Sequence, residues 1–135
     1  MLTLQQIFDE VCSHVIAQGE PAIHHGTCQY LTDQGTSCAI GGPLVKRGLY
    51  KPQMEETRYY HLNAQGGYVL DTGLLPDALR EWGITDGDAT KLVSMLQSNH
   101  DKASDQVRHS EFLHEFRMLA TVTAQEFNLS TAVLQ

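Results

Sequence analysis

Between residues 3 and 18 apolar side chains recur at three- and four-residue steps: Leu4, Ile7, Phe8, Val11, Cys12, Val15 and Ile16 share one side, and Gln5, Asp9, Glu10 and Ser13 the other. That period is helical, and a helix so divided must bury one face against another element. Thr3 and Gln6 stand at the spacing of a capping box, and Gly19 followed by Pro21 supplies a stop. Cys12 lies on the apolar side and reads as a small buried hydrophobe. The rest of the chain has to provide the surface that covers this helix.

Three later stretches qualify. Pro76 at a first turn, with Leu74, Leu75, Leu79 and Trp82 before Gly83, predicts a short helix. Asp86 or Asp88 is placed to cap a helix from about Ala89 to Lys102, with Leu92, Val93, Met95, Leu96 and Asn99 or His100 inward. Ser110 is placed to cap a last helix carrying Phe112, Leu113, Phe116, Leu119, Ala120, Thr123 and Phe127.

Between the first helix and these, the periodicity changes. Thr27 to Leu31 has strand-forming residues, Thr32-Asp33-Gln34-Gly35 is a turn signal, and Thr36 to Ile40 can return. A competing start places Ser37 as the N-cap of a helix with Cys38 in its first turn, and Pro43 offers a third start. Lys51 to Gly67 reads as a long loop with one helical turn. The expected fold is mainly α (α+β): a compact single domain over 1–128, about four helices with a small β-hairpin near 27–40, and a loosely ordered tail at 129–135.

A chain of 135 residues with 41% apolar and 19% charged residues can bury a core without a stapling metal or disulfide. No run of eighteen apolar residues occurs, and Met1 to Gln6 lacks a basic and then hydrophobic leader pattern, which argues against membrane insertion and classical secretion. Three cysteines leave at least one unpaired, as suits a reducing compartment, so a cytoplasmic location is expected. Nine basic against sixteen acidic residues, a formal charge of −7, repel nucleic acid and anionic lipid and suit a basic protein partner. Lys46, Arg47 and Lys51 have only Tyr50 as an aromatic platform.

Residues 24–42 gather two cysteines, two histidines and four glycines. A hairpin about Asp33 would bring Cys28 and Cys38 together, and with His24, His25 or His100 they could furnish a tetrahedral zinc set, although no Cys-x-x-Cys or His-x-x-x-His spacing is present. The composition calls for no cofactor. A thiol enzyme would use Cys38 to attack, His100 to take its proton and Asp101 or Asp33 to orient the imidazole. His100 and Asp101 are adjacent, however, and neighbours on a helix point about 100° apart. His100 and Asp101 otherwise read as a helix C-terminus. Glu55-Glu56 and Asp86-Asp88 read as surface and capping carboxylates. No phosphate loop, dinucleotide fingerprint or serine elbow occurs.

The pieces Leu4-Gln5-Gln6-Ile7-Phe8, Cys28-Gln29-Tyr30, Gly35-Thr36-Ser37-Cys38-Ala39-Ile40-Gly41, Pro52-Gln53-Met54-Glu55 and Leu96-Gln97-Ser98-Asn99-His100-Asp101 occur in an order that resembles a family of small uncharacterised proteins of tailed bacteriophages and prophages. Leu31 departs from the family's usual basic residue, and Gly42-Pro43 from a more helix-compatible pair. The resemblance implies a phage or prophage origin and brings no reaction. The expected function is that of a non-enzymatic accessory protein binding a host or phage protein, through Cys28, Tyr30, Cys38, Gly41, Gly42 and Tyr50. Modulation of a host process or defence is the role that origin suggests. The alternatives are a metal- or thiol-dependent enzyme centred on Cys38 and His100, and a module that sequesters a small molecule in a pocket beside the glycines. Oligomeric state is left open.

Overall fold

The computed structural model describes residues 2–24, 27–55, 74–105 and 111–135. These form a mainly helical protein: α1 (Leu4–Gln18), α2 (Gly41–Lys46), α3 (Leu74–Trp82), α4 (Gly87–Ser104) and α5 (Phe112–Glu126), followed by a 3-10 turn at Ala132–Leu134. No described helix is long and apolar enough to cross a membrane.

The capping box of α1 is complete: the Gln6 backbone N–H donates to Thr3 Oγ1 at 3.1 Å, and the Thr3 N–H donates to Gln6 Oε1 at 2.8 Å. Gly19 ends the helix at φ +77°, its N–H donating to the Val15 carbonyl. Ile7, Phe8, Val11, Cys12 and Val15 are buried, as their spacing requires. For α4 the cap is Asp86, whose carboxylate accepts from the Ala89 N–H at 2.7 Å. For α5 Ser110 lies outside the described residues, and the N-cap, Glu111, makes no side-chain capping bond.

Helix α4 is central. It packs most extensively against α5 and next against α1, while α2 sits on α1 and reaches α3. The α4–α5 seam stacks Phe112 on Phe116 and sets His100 edge-on to Phe112 at 5.5 Å between ring centroids. Within it, the buried Asn99 amide donates to Thr123 Oγ1 at 2.8 Å. The Arg47 guanidinium lies 5.4 Å from the centre of the Trp82 ring, joining the end of α2 to α3.

Residues 129–135, expected as a loosely ordered tail, are docked. Gln5 accepts from the Ser130 N–H and donates to the Ser130 carbonyl, the Arg117 side chain donates to the Leu134 carbonyl at 2.9 Å, and Leu134 is buried. The tail closes over the open end of α1 because Leu134 has an apolar site to fill.

The β-hairpin expected near 27–40 is not formed. Thr27–Cys28 pairs over two residues with Ile23–His24 instead, and around the Thr32–Gly35 turn there is a single bridge, Leu31 to Ser37. The turn itself is as read: Thr32 and Thr36 close it with a backbone bond of 2.8 Å, and Gly35 adopts φ +86°. The ladder stops because its backbone groups are bound by side chains. The Tyr30 and Leu31 N–H groups donate to Glu55, the Ser37 N–H to Gln18, and the Ile40 N–H to Gln97.

Candidate functional site

The segment from Ser37 to Gly41 is a turn fastened by two helices and by a bond of its own. From α1, Gln18 accepts from the Ser37 N–H at 2.8 Å and donates to the Ser37 carbonyl at 2.9 Å. One turn earlier, His14 Nε2 lies 3.1 Å from both the Ser37 and the Cys38 carbonyls. Both partners are acceptors, so Nε2 carries the hydrogen and Nδ1 is the acceptor nitrogen. From α4, the buried Gln97 accepts from the Ile40 N–H at 3.1 Å and donates to Asp101 at 2.9 Å. Within the turn, the Gly41 N–H donates to Cys38 Sγ at 3.4 Å, the place a serine hydroxyl takes in a cap.

The start of α2 therefore falls between the two anticipated starts. Helical bonding begins with the Gly42 N–H donating to the Cys38 carbonyl, and Pro43, in the first turn, costs little because its missing N–H falls where a helix has spare donors. Gly41 is required by crowding: a Cβ there would lie 2.1 Å from the Tyr30 carbonyl oxygen. Gly42 lies against the His14 ring, where a Cβ would come within 2.3 Å of Nε2.

The candidate binding residues divide sharply. Tyr30, Cys38 and Gly41 are buried, Gly42 and Tyr50 are half-buried, and the side chain of Cys28 lies outside the described residues. Tyr50 donates to Glu55 at 2.8 Å. Burial, then the hydrogen bond to Glu55 and the charges of Glu55 and Cys38, push the Tyr50 phenol well above 10.0. Buried side chains cannot touch a partner protein directly, so Tyr30, Cys38 and Gly41 contribute by shaping the fold.

For the thiol-enzyme triad, one expectation is reversed. His100 Nδ1 lies 3.0 Å from the Asp101 carboxylate although the two are sequence neighbours on α4. Both polar atoms sit close to their backbones, so the roughly 100° between neighbouring side chains is bridged sideways along the helix. The other ring nitrogen, Nε2, accepts from the buried Ala22 N–H at 3.3 Å. A base whose lone pair is held by the backbone, in a residue with no exposed surface, fastens the chain after α1 onto α4. Of the metal candidates, Cys38 and His100 are both fully buried, while His25 and the side chains of His24 and Cys28 lie outside the described residues. Among the described residues no group of three His, Cys, Asp or Glu could hold a metal ion.

Three polar residues that matter here were not singled out from sequence, His14, Gln18 and Gln97, and Glu55, read as a surface carboxylate, is half-buried and accepts from the Tyr30 and Leu31 N–H groups. The only signal of the first two was their place beside the apolar stripe of α1. Burial lowers the His14 pKa from 6.5, opposed by hydrogen bonds to the Ser37 and Cys38 carbonyls and reinforced by electrostatic interaction with His100. Beside it, Glu10, Ser13, Gly42, Pro43 and Lys46 complete a cleft of about 300 Å³ between α1 and α2.

A different kind of surface lies on the outside of α5. Met118 and Val122, one helical turn apart, are 54% and 64% exposed, an unusual investment of apolar surface in solvent. Glu111, His114 and Glu126 are also exposed on this helix and its cap. Comparison of the chain with protein-family models, with curated proteins and with solved structures gives no match.

Proposed function

We propose that this is a non-enzymatic binding protein of the phage or prophage accessory type, acting in the host cytoplasm on a host or phage protein. The observation that carries the reading is the exposed Met118–Val122 pair on α5. Its acidic neighbours and the formal charge of −7 select a partner surface that sets basic residues around an apolar contact. The contact expected on the Cys28–Gly42 segment moves to α5, because Tyr30, Cys38 and Gly41 are interior. The absence of a free base at His100 favours this reading over a thiol enzyme.

The test is affinity capture from host lysate by the wild type and by Met118→Glu/Val122→Glu, with circular dichroism to establish that both are folded. The expected result is near-stoichiometric recovery of one basic protein by the wild type and its loss in the variant. Equal capture by both, or none by the wild type, overturns the proposal. Native iodoacetamide labelling supplies the second arm: Cys12 and Cys38 stay unmodified until the protein is denatured, whereas rapid alkylation of Cys38 in the folded protein would restore the thiol-enzyme alternative.

A further inference from the structure

The cleft between α1 and α2 has the makings of a second, independent site. Its volume, about 300 Å³, is at the lower end of the range that small-molecule sites occupy. Its polar groups are of two kinds. On the α1 side, the fixing of the His14 hydrogen on Nε2 leaves Nδ1 as an acceptor with no hydrogen-bond partner among the described residues. Ser13, exposed, adds a hydroxyl. On the α2 side, Lys46 carries an ammonium with no ion pair among the described residues. Glu10 is already neutralised by Arg47 at 2.5 Å, so the cleft keeps a net positive charge despite the acidity of the chain.

We propose that this cleft binds a small carboxylate carrying an amide N–H, with the carboxylate on Lys46 and the N–H directed to His14 Nδ1. The acceptor is built rather than accidental. His14 is held by two carbonyls and by the close approach of Gly42, so it meets a ligand without first losing side-chain freedom. Lowering of the His14 pKa by burial keeps the ring neutral and Nδ1 an acceptor near neutral pH. A free acylamino acid and the C-terminus of a peptide share this chemistry.

The experiment is an NMR titration of the full chain with N-acetylglycine, following the His14 ring resonances, beside acetate, which lacks the N–H, and N-methylacetamide, which lacks the charge. Saturable shifts at His14 with N-acetylglycine alone are expected. Lys46→Gln should weaken them about fivefold and Lys51→Gln should leave them unchanged. N-acetyl-tetraglycine distinguishes the sources: equal binding assigns a peptide terminus, exclusion a free acid. Absence of shifts at His14, equal binding of acetate, or indifference to Lys46→Gln overturns the proposal. Met118→Glu/Val122→Glu leaves this titration unaltered, so failure of the α5 interface is distinguishable from failure here.

Discussion

The turn at Ser37–Gly41 and the outer face of α5 invert the ordinary distribution of polar and apolar groups. The turn concentrates the side chains a chemist would call reactive, yet Cys38, Gln97 and His100 are buried and bonded inward. Helix α5 shows solvent two plain hydrophobes, Met118 and Val122. A buried polar group bonded within the fold is a fastener, because leaving its partner unsatisfied costs more than the bond itself contributes. An exposed apolar pair adds almost nothing to folding and is free to act in binding.

The contrast breaks most readily at Gly41. Gly41→Ala drives a Cβ into the Tyr30 carbonyl oxygen, a backbone atom that cannot swing aside, and should lose about 3 kcal/mol or more in urea unfolding. An unchanged midpoint would mean that the turn is not held where it is described. Next comes Gln97→Leu, which strands the buried Ile40 N–H and should cost about 1–3 kcal/mol. A cost as small as that of a surface substitution would show that water replaces the fastener.

Cys12 offers a test that depends on pH. Burial, then the charge of Asp9, raises its thiol pKa far above the ordinary 9.0, so above that pH the unfolded chain loses a proton that the folded protein keeps. Stability contributed by this group is therefore complete below pH 9 and falls as pH rises, by up to about 1.4 kcal/mol per unit. Denaturation curves for the wild type should steepen in pH dependence relative to Cys12→Ala, and parallel curves would contradict the burial. On the other face of the comparison, Met118→Glu/Val122→Glu should shift stability by less than about 0.5 kcal/mol. A larger loss would place the pair in the fold rather than at an interface.

Much of the helical frame was legible because it is written locally. Thr3, Gln6 and Gly19 bracket α1, and Asp86 caps α4, through contacts within four residues. The burial of Phe112 and Phe116 followed from spacing alone. The hairpin failed for a reason no local pattern carries: its backbone donors go to Gln18, Glu55 and Gln97, residues 19 to 57 positions away. The His100–Asp101 bond was missed because helical spacing gives the directions of side chains and leaves their rotation open.

The sequence by itself determined α1, α3, α4 and α5, their buried faces and the turn at Thr32–Gly35, since caps, periodicity and glycine conformation act over a few residues, whereas the start of α2 was left open. Only the tertiary structure decided what the Cys38 segment is for. Whether a thiol, an imidazole or a carboxylate reacts, binds or fastens depends on which donors and acceptors reach it, and those at the turn arrive from α1 and α4. The same packing left Met118 and Val122 exposed on the outer side of α5.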